Sequence, residues 1–167
     1  AFTCNNIALN QGALDTAGYA VSCYAFAGSG SYSTILTLGA SVITCASGWA
    51  APSNLTLNAG TSTIQITSAV AAIDGPGLVF NNVSFTNGNP SGITITGSCT
   101  FNNLSFSGKS SVGVCYIYID SYIDVQGTFT IPAPTTLGSS RYRIAPDALG
   151  GTVEIEAAAV SLTDVDF

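Results

Sequence analysis

Histidine is absent from the whole 167-residue chain. Without an imidazole, the chain cannot build a nucleophile–His–acid triad or an ordinary Cys–His catalytic pair. Nothing in the sequence matches a phosphate-binding loop or a dinucleotide-binding fingerprint. The sequence therefore predicts a protein that is not an enzyme and that uses no cofactor.

Basic residues are almost as rare, because only Lys109, Arg141 and Arg143 oppose nine acidic residues. Neutralising the phosphates of a nucleic acid or an anionic membrane surface needs several cations, so we expect neither as a partner. No apolar run approaches the roughly 18 residues of a membrane-spanning helix. Methionine is also absent and Ala stands at position 1, which leaves two expectations open: loss of an initiator methionine from a chain made in the cytoplasm, or cleavage of a longer precursor.

Charge of either sign is scarce, since charged residues make up 7% of the chain while 47% of its residues are hydrophobic. This combination predicts a folded chain, because disorder needs low hydrophobicity and much charge. Two explanations fit the shortage of charge. The exterior is covered by Ser and Thr, or side surfaces are covered by sister subunits in an obligate oligomer. The two are compatible.

A hexapeptide repeats almost unchanged in the middle of the chain, where Phe80–Phe85 (FNNVSF) returns as Phe101–Phe106 (FNNLSF). Short alternating strands that recur about every 20 residues, separated by Gly, Asn or Ser, are typical of a solenoid. We therefore predict an all-β fold, a right-handed parallel β-helix with coils of about 21 residues. A β-sandwich of repeated hairpins is the alternative.

The same repeat predicts the core. Aromatic side chains at equivalent positions would stack from coil to coil, and one more step of the repeat reaches a tyrosine. The predicted core ladder consists of Phe80, Phe85, Phe101, Phe106 and Tyr122.

The chain divides into three segments that differ in composition and in how clearly the strand pattern repeats. Residues 1–30 repeat least, and we interpret them as an amino-terminal cap or attachment segment with a short helical turn around Leu14 to Tyr19. Residues 31–135 carry the strand pattern of the rod. Residues 136–167 are expected to form a terminal coil and a carboxyl-terminal cap, which a solenoid needs at its exposed edge.

The five cysteines contain no C-x-x-C pair, so the sequence predicts no metal site. An odd number favours an intermolecular disulfide or a free thiol, and burial as small hydrophobic residues is the alternative role. Three of the five lie outside the clear repeat and are the better candidates for cross-links between subunits, whereas the other two could approach each other across a coil. The first group is Cys4, Cys23 and Cys45, and the second is Cys99 and Cys115.

Paired carboxylates deserve a test, because β-helices that act on polysaccharides often use them. Asp120 and Asp124 would lie about 13 Å apart on one extended strand, too far for either glycosidase geometry. Glu154 and Glu156 would lie about 6.6 Å apart, but alternating Glu in a terminal strand is more typical of a solvated face. A catalytic role is therefore not expected for either pair.

Four stretches together resemble the β-helical rods of tailed-bacteriophage virions. They are the run from Gly97 to Phe106, the apolar run from Val114 to Ile119, the segment from Gly138 to Arg143, and Gly150-Gly151. The resemblance covers roughly residues 53 to 157 and rests on composition and on the regular spacing of the strands. It implies a homotrimer with its threefold axis along the coils.

The chain departs from that group in its small size, because no large receptor-binding or enzymatic domain follows the rod. The resemblance therefore implies a trimeric capsid decoration or cement protein, or a short head fibre, located in the virion. Its partners would be its own sister subunits and the major capsid or other virion proteins. Arg141 and Arg143 would be candidate charged contacts at an interface, since Arg suits paired contacts.

Two other functions are compatible with the sequence. A receptor- or carbohydrate-binding fibre tip would stack surface glycans on exposed aromatic residues, for which the candidates are Trp49, Tyr116, Tyr118 and Tyr122. A bacterial surface adhesin would have the same rod at an extracellular or cell-surface location.

Overall fold

The computed structural model describes residues 1–120, 122–135, 140–146, 148 and 151–167, which form seventeen β-strands and no helix. The resemblance drew in part on Gly138, Ser139 and Gly150, which lie outside the described residues. The strands are β1 (Phe2–Thr3), β2 (Asn6–Ala8), β3 (Gly12–Asp15), β4 (Val21–Ala27), β5 (Thr34–Thr37), β6 (Val42–Ala50), β7 (Leu55–Asn58), β8 (Thr63–Ile66), β9 (Val70–Asp74), β10 (Val79–Phe85), β11 (Gly92–Thr96), β12 (Thr100–Phe106), β13 (Val114–Ile119), β14 (Tyr122–Ile131), β15 (Arg141–Pro146), β16 (Glu154–Leu162) and β17 (Val165–Asp166).

The strands form three rows that run along the molecule. Row one consists of β4, β6, β8, β10, β12, β14 and β16. Row two begins with β2 and the second halves of β4 and β6, and continues through β9, β11, β13, β15 and β17. Row three is the separate sheet of β3, β5 and β7. Successive turns of the chain extend rows one and two, whereas row three ends with β7. The molecule is a β-solenoid of about seven turns.

Every strand pairing in the described part of the chain is parallel, as in the match of β10 with β12. A sandwich of hairpins needs antiparallel neighbours, so the parallel β-helix is confirmed and the β-sandwich alternative is wrong. Alternation explains the local structure. In β8, Ile64 and Ile66 point into the core, while Thr63 and Gln65 face outward.

The corners repeat as well as the strands. Gly18, Gly39 and Gly60 follow one another at the coil period, and all three have a positive φ. A Cβ on Gly60 would lie 2.5 Å from the carbonyl oxygen of Gly39. Only glycine permits both this backbone conformation and this close approach of successive coils.

The aromatic ladder runs through the core as a set of stacked rings. Phe80 and Phe101 have ring centroids 5.5 Å apart, and those of Phe85 and Phe106 lie 5.0 Å apart. All four side chains are buried. Each ring covers the next because equivalent residues of adjacent coils are direct partners in the parallel ladder.

Tyr122 does not belong to this ladder. The partner of Phe101 in β14 is Val125, because the chain between them is three residues longer than one repeat. Tyr122 instead pairs with Glu154, is half-buried, and donates a hydrogen bond from its hydroxyl to Glu156 Oε2 at 3.1 Å.

The amino-terminal segment is part of the solenoid rather than a separate helical element. Phe2 pairs with Val21 in β1 and β4, so residues 1–30 already contain a full coil. The helical turn expected around Leu14 to Tyr19 is wrong, because Leu14 lies in β3 and a turn with Ala17 and Gly18 at positive φ follows. At the other end, β16 and β17 form the last described coil.

The first and last coils leave core-facing positions uncovered. Phe2 is 59% exposed although its partner Val21 is buried, and Val160 is 59% exposed although its partner Phe129 is buried. A coil buries its apolar side only against neighbours above and below, so these two ends present apolar surface.

Candidate functional site

Three cysteines are stacked on successive coils at the amino-terminal end. Cys23 of β4 and Cys45 of β6 are direct partners in the parallel ladder, with their Sγ atoms 3.5 Å apart. Cys4 follows β1, and its backbone N–H donates to the carbonyl of Ser22 at 3.0 Å, which places it beside Cys23. We call Cys4, Cys23 and Cys45 the cysteine column.

The thiols of the column influence one another. A hydrogen bond from the Cys45 thiol lowers the pKa of Cys23 against the opposing effect of burial. Donating that bond, together with burial, raises the pKa of Cys45 above its ordinary value. Burial and the neighbouring Cys23 raise the pKa of Cys4. Of the three, Cys23 is thus the thiol whose ionised form is best stabilised.

All five cysteines are free thiols. Cys23 and Cys45 are buried inside their own chain, a position that is unfavourable for the predicted cross-links between subunits. Cys4 is half-buried at the end of the solenoid. The two remaining cysteines do not bond to each other.

Those two cysteines, Cys99 and Cys115, are fully buried in the upper coils. The Cys99 thiol approaches the carbonyl oxygens of Gly75 and Thr96, each at 3.2 Å. Burial raises the pKa of Cys99 to about 12 and that of Cys115 to about 11. Both serve as small core residues.

A cavity of ≈ 590 Å³ opens beside the column at the amino-terminal end. Its wall is mainly apolar and includes Phe2, Cys4, Ile7, Leu14, Tyr19 and Val21. These residues belong to the first coil of the described structure, in strands β1 to β4 and the turns between them. Cys4 is the member of the cysteine column that lines this cavity.

The four aromatic residues expected to bind sugar do not form a common platform. Trp49 is buried, with its ring stacked on Phe26 at 4.0 Å between centroids. Tyr116 and Tyr118 stack on each other at 5.6 Å on the outer side of β13. Tyr122 lies in β14, in another row.

Both arginines make contacts within the chain. Arg141 forms an ion pair with Asp166 at 3.1 Å, with both side chains more than two-fifths exposed. The Arg143 guanidinium lies over the ring of Tyr116, 5.9 Å from its centroid. The contacts of Tyr116 with Tyr118 and with Arg143 would both compete with a sugar for stacking on this ring.

The candidate acids are dispersed. Asp120 follows β13 and accepts a hydrogen bond from the Gly97 N–H at 3.0 Å, whereas Asp124 lies in β14, so the assumption of one extended strand is wrong. Glu154 and Glu156 do share the outward side of β16. Within the described ranges, no group of three or more Cys, Asp or Glu residues is arranged to hold a metal ion.

Two buried polar groups escaped sequence reasoning. Lys109 is 3% exposed, and its Nζ donates to the carbonyl oxygen and the hydroxyl of Ser111 at 3.0 and 2.6 Å. The hydroxyl of buried Tyr142 donates to the carbonyl of Ser107 at 3.0 Å. The Lys109 contact is local to its turn, whereas the Tyr142 contact joins residues 35 apart in the sequence, and neither has a repeat signal that could have revealed it.

No protein-family model, curated protein or solved structure matches this chain. Among the described residues, no helix has the length and hydrophobicity needed to cross a membrane.

Proposed function

We propose that this chain is a structural, non-catalytic rod of a bacteriophage particle, acting as a trimeric capsid decoration protein or short head fibre. The observation that carries the proposal is the parallel solenoid combined with a shortage of charge, since charged residues make up 7% of the chain. A rod of this kind resists bending because each coil is hydrogen-bonded to the next along its whole length.

The surface that we assign to the sister subunits is the outer side of row two. Ala25, Gly48, Ala72, Thr94 and Tyr118 follow one another there in register from coil to coil. None of these five side chains carries a charge. The charged residues of this row are Asp74 and, at its carboxyl-terminal end, Arg141, Arg143 and Asp166. A centre with little charge and with exposed aliphatic and aromatic residues is typical of the core of a homo-oligomeric interface.

Two exposed valines strengthen this assignment. Val70 is 71% exposed and Val114 is 42% exposed, and both lie on strands of row two. Leaving such side chains in water is unfavourable by about 25 cal/mol for each Å² of apolar surface. Contact with the same row of a sister chain removes this cost. Arg143 lies at the carboxyl-terminal end of this surface, where it can contact the neighbouring subunit beside Tyr116.

The test is native mass spectrometry of the isolated chain, with and without reductant. We expect a trimer in both conditions, because the buried cysteines leave the subunits held by surface contacts alone. A monomer in both conditions would contradict the trimeric assembly. A trimer that dissociates only on reduction would instead place a disulfide between chains.

A pair of matched variants locates the interface. Val70→Asp places a charge on row two and is expected to yield a monomer. Val79→Asp places the same charge at another exposed valine, 55% accessible and outside row two, and is expected to leave the trimer intact. A trimer that survives Val70→Asp would remove row two as the interface. For the location in the virion, antibodies against the chain should label intact phage heads in electron micrographs.

A receptor- or carbohydrate-binding fibre tip has less support. Trp49 is buried and the Tyr116 ring is covered by Tyr118 and Arg143. Specific binding on a glycan array that is lost in Tyr118→Ala would revive that function.

A further inference from the structure

The cysteine column lies at the amino-terminal end of the solenoid, beside the ≈ 590 Å³ cavity that Cys4 lines. We propose that the column is a site of oxidation, at which Cys23 and Cys45 form a disulfide that joins two successive coils, and at which Cys4 is the thiol that first reacts with the oxidant. The oxidant that fits the cavity is a small apolar disulfide.

The backbone already has the spacing that this disulfide needs. Cys23 and Cys45 are direct partners in neighbouring parallel strands. Such strands lie about 4.8 Å apart, and a disulfide accepts Cα separations of about 4.4–6.8 Å. The Sγ atoms are 3.5 Å apart and must approach to about 2.05 Å, which rotation of the two side chains can supply.

Access determines the order of events. Cys23 is 5% exposed and Cys45 is fully buried, so neither presents its sulfur to bulk solvent. Cys4 is half-buried and lines the ≈ 590 Å³ cavity together with Phe2, Ile7 and Leu14. An apolar reagent can therefore enter the cavity and meet Cys4 first.

The exchange then proceeds along the column. The Cys4 thiolate attacks one sulfur of the small disulfide, forms a mixed disulfide and releases the first thiolate. The Cys23 thiolate then attacks Cys4 Sγ, forms a Cys4–Cys23 disulfide and releases the second thiolate of the reagent. The Cys45 thiolate attacks Cys23 Sγ and expels Cys4 as a thiolate, which is reprotonated. In sum, the reagent is reduced to two thiols, while Cys23 and Cys45 lose two hydrogens and become a disulfide.

The stacking of the thiols favours these steps. Thiol–disulfide exchange needs the attacking sulfur, the central sulfur and the leaving sulfur close to one line. Cys4, Cys23 and Cys45 follow one another along the solenoid axis, so Cys23 lies between the other two. Because Cys23 has the lowered pKa of the column, it supplies the thiolate for the middle step.

The experiment treats the full chain with 2,2′-dipyridyl disulfide and follows the release of pyridine-2-thione by absorbance. Digestion without reductant uses chymotrypsin, because trypsin finds no Lys or Arg before Lys109. We expect two equivalents of thione, a peptide linked through Cys23 and Cys45, and a single-chain mass lower by two hydrogens. The oxidised chain should melt about 5–10 °C higher, since the bridge closes a loop of about 20 residues.

Two serine variants test the role of Cys4. Cys4→Ser should slow formation of the Cys23–Cys45 bridge at least about tenfold, since the accessible thiol is lost. Cys99→Ser, which alters a buried thiol outside the column, should leave the rate unchanged. An unchanged rate in Cys4→Ser would overturn the entry role. A stable pyridyl adduct on Cys4 with Cys23 and Cys45 still reduced, or a bridge between chains, would overturn the proposal as a whole.

Discussion

Asn103 donates a hydrogen bond from its side-chain Nδ2 to Oδ1 of Asn82 on the preceding coil, at 2.8 Å. On its other side, Asn103 Oδ1 accepts from the backbone N–H of Thr128 at 2.9 Å. These contacts connect β10, β12 and β14, which are successive strands of row one. One side-chain amide therefore joins three coils.

Asn103→Ala should lower the free energy of unfolding by about 1–3 kcal/mol, because it removes both bonds and leaves the Thr128 N–H without its acceptor. Urea unfolding followed by circular dichroism measures the change. The adjacent Asn102→Ala is the control, since Asn102 is exposed, and its effect should stay within about 0.5 kcal/mol. Equal effects of the two substitutions would show that the amide bridge contributes nothing to stability.

Phe101→Ala should be far more damaging, with a loss of about 3–5 kcal/mol, because it opens a cavity between Phe80 and the coil above. Tyr122→Ala removes an aromatic ring of similar size from outside the ladder and should cost about 1 kcal/mol or less. The denaturant midpoints of the two variants, measured under the same conditions, give the two losses of stability. A loss for Tyr122→Ala as large as that for Phe101→Ala would contradict the assignment of the core.

The repeat of the hexapeptide was sufficient to predict the coils and the pairing of Phe80 with Phe101. It failed at Tyr122 because the period is an average, and the coil from Phe101 to Val125 contains three additional residues. A fixed step cannot place residues beyond such an insertion. Trp49 was misplaced for a related reason, since its partners Phe26 and Ile73 lie in coils without sequence similarity to the repeat.

The stacking of the cysteine column could have been predicted from the sequence. Cys4, Cys23 and Cys45 are spaced by close to one coil, which is the separation expected of residues stacked in a solenoid. Their distance from the recognisable repeat led instead to the prediction of cross-links between subunits. The cavity next to Cys4 could not be predicted, because it depends on how strands β1 to β4 are arranged in space.

Gly127→Ala should destabilise the protein by about 1–3 kcal/mol through overpacking. Gly127 lies where the register between β12 and β14 shifts, and a Cβ there would collide with the carbonyl oxygen of Asn102. Thermal unfolding of the purified variant gives the change in stability.

Gly92→Ala is the matched control for that substitution. Gly92 lies in β11, and no atom lies within 4 Å of the position its Cβ would take. Replacing a glycine at such a site, the first residue of its strand, should leave stability unchanged or raise it by up to about 1 kcal/mol. A similar loss in both variants would contradict the assignment of the effect to the close approach of β12 and β14.

Alkaline pH should destabilise the fold, because burial raises the pKa of Cys99 to about 12 and of Cys115 to about 11 from 9.0. The folded protein therefore holds these protons more tightly than the unfolded chain does. Their contribution to stability is fully present below about pH 9 and is lost as the pH rises towards 11 and 12. Urea midpoints between pH 7 and pH 11 should stay level at first and fall above about pH 9.

Cys99→Ala identifies the source of that decline. The variant is expected to be less stable than the wild type at pH 7, since it loses a buried side chain. The free energy of unfolding of the variant should nevertheless fall less steeply above pH 9, by up to about 1.4 kcal/mol for each pH unit. The reason is that the variant lacks one thiol that holds its proton more tightly in the folded state than in the unfolded state. Burial also raises the pKa of Tyr142, so part of the loss of stability at alkaline pH should remain in the variant. Parallel curves for variant and wild type would show that Cys99 does not contribute to the pH dependence.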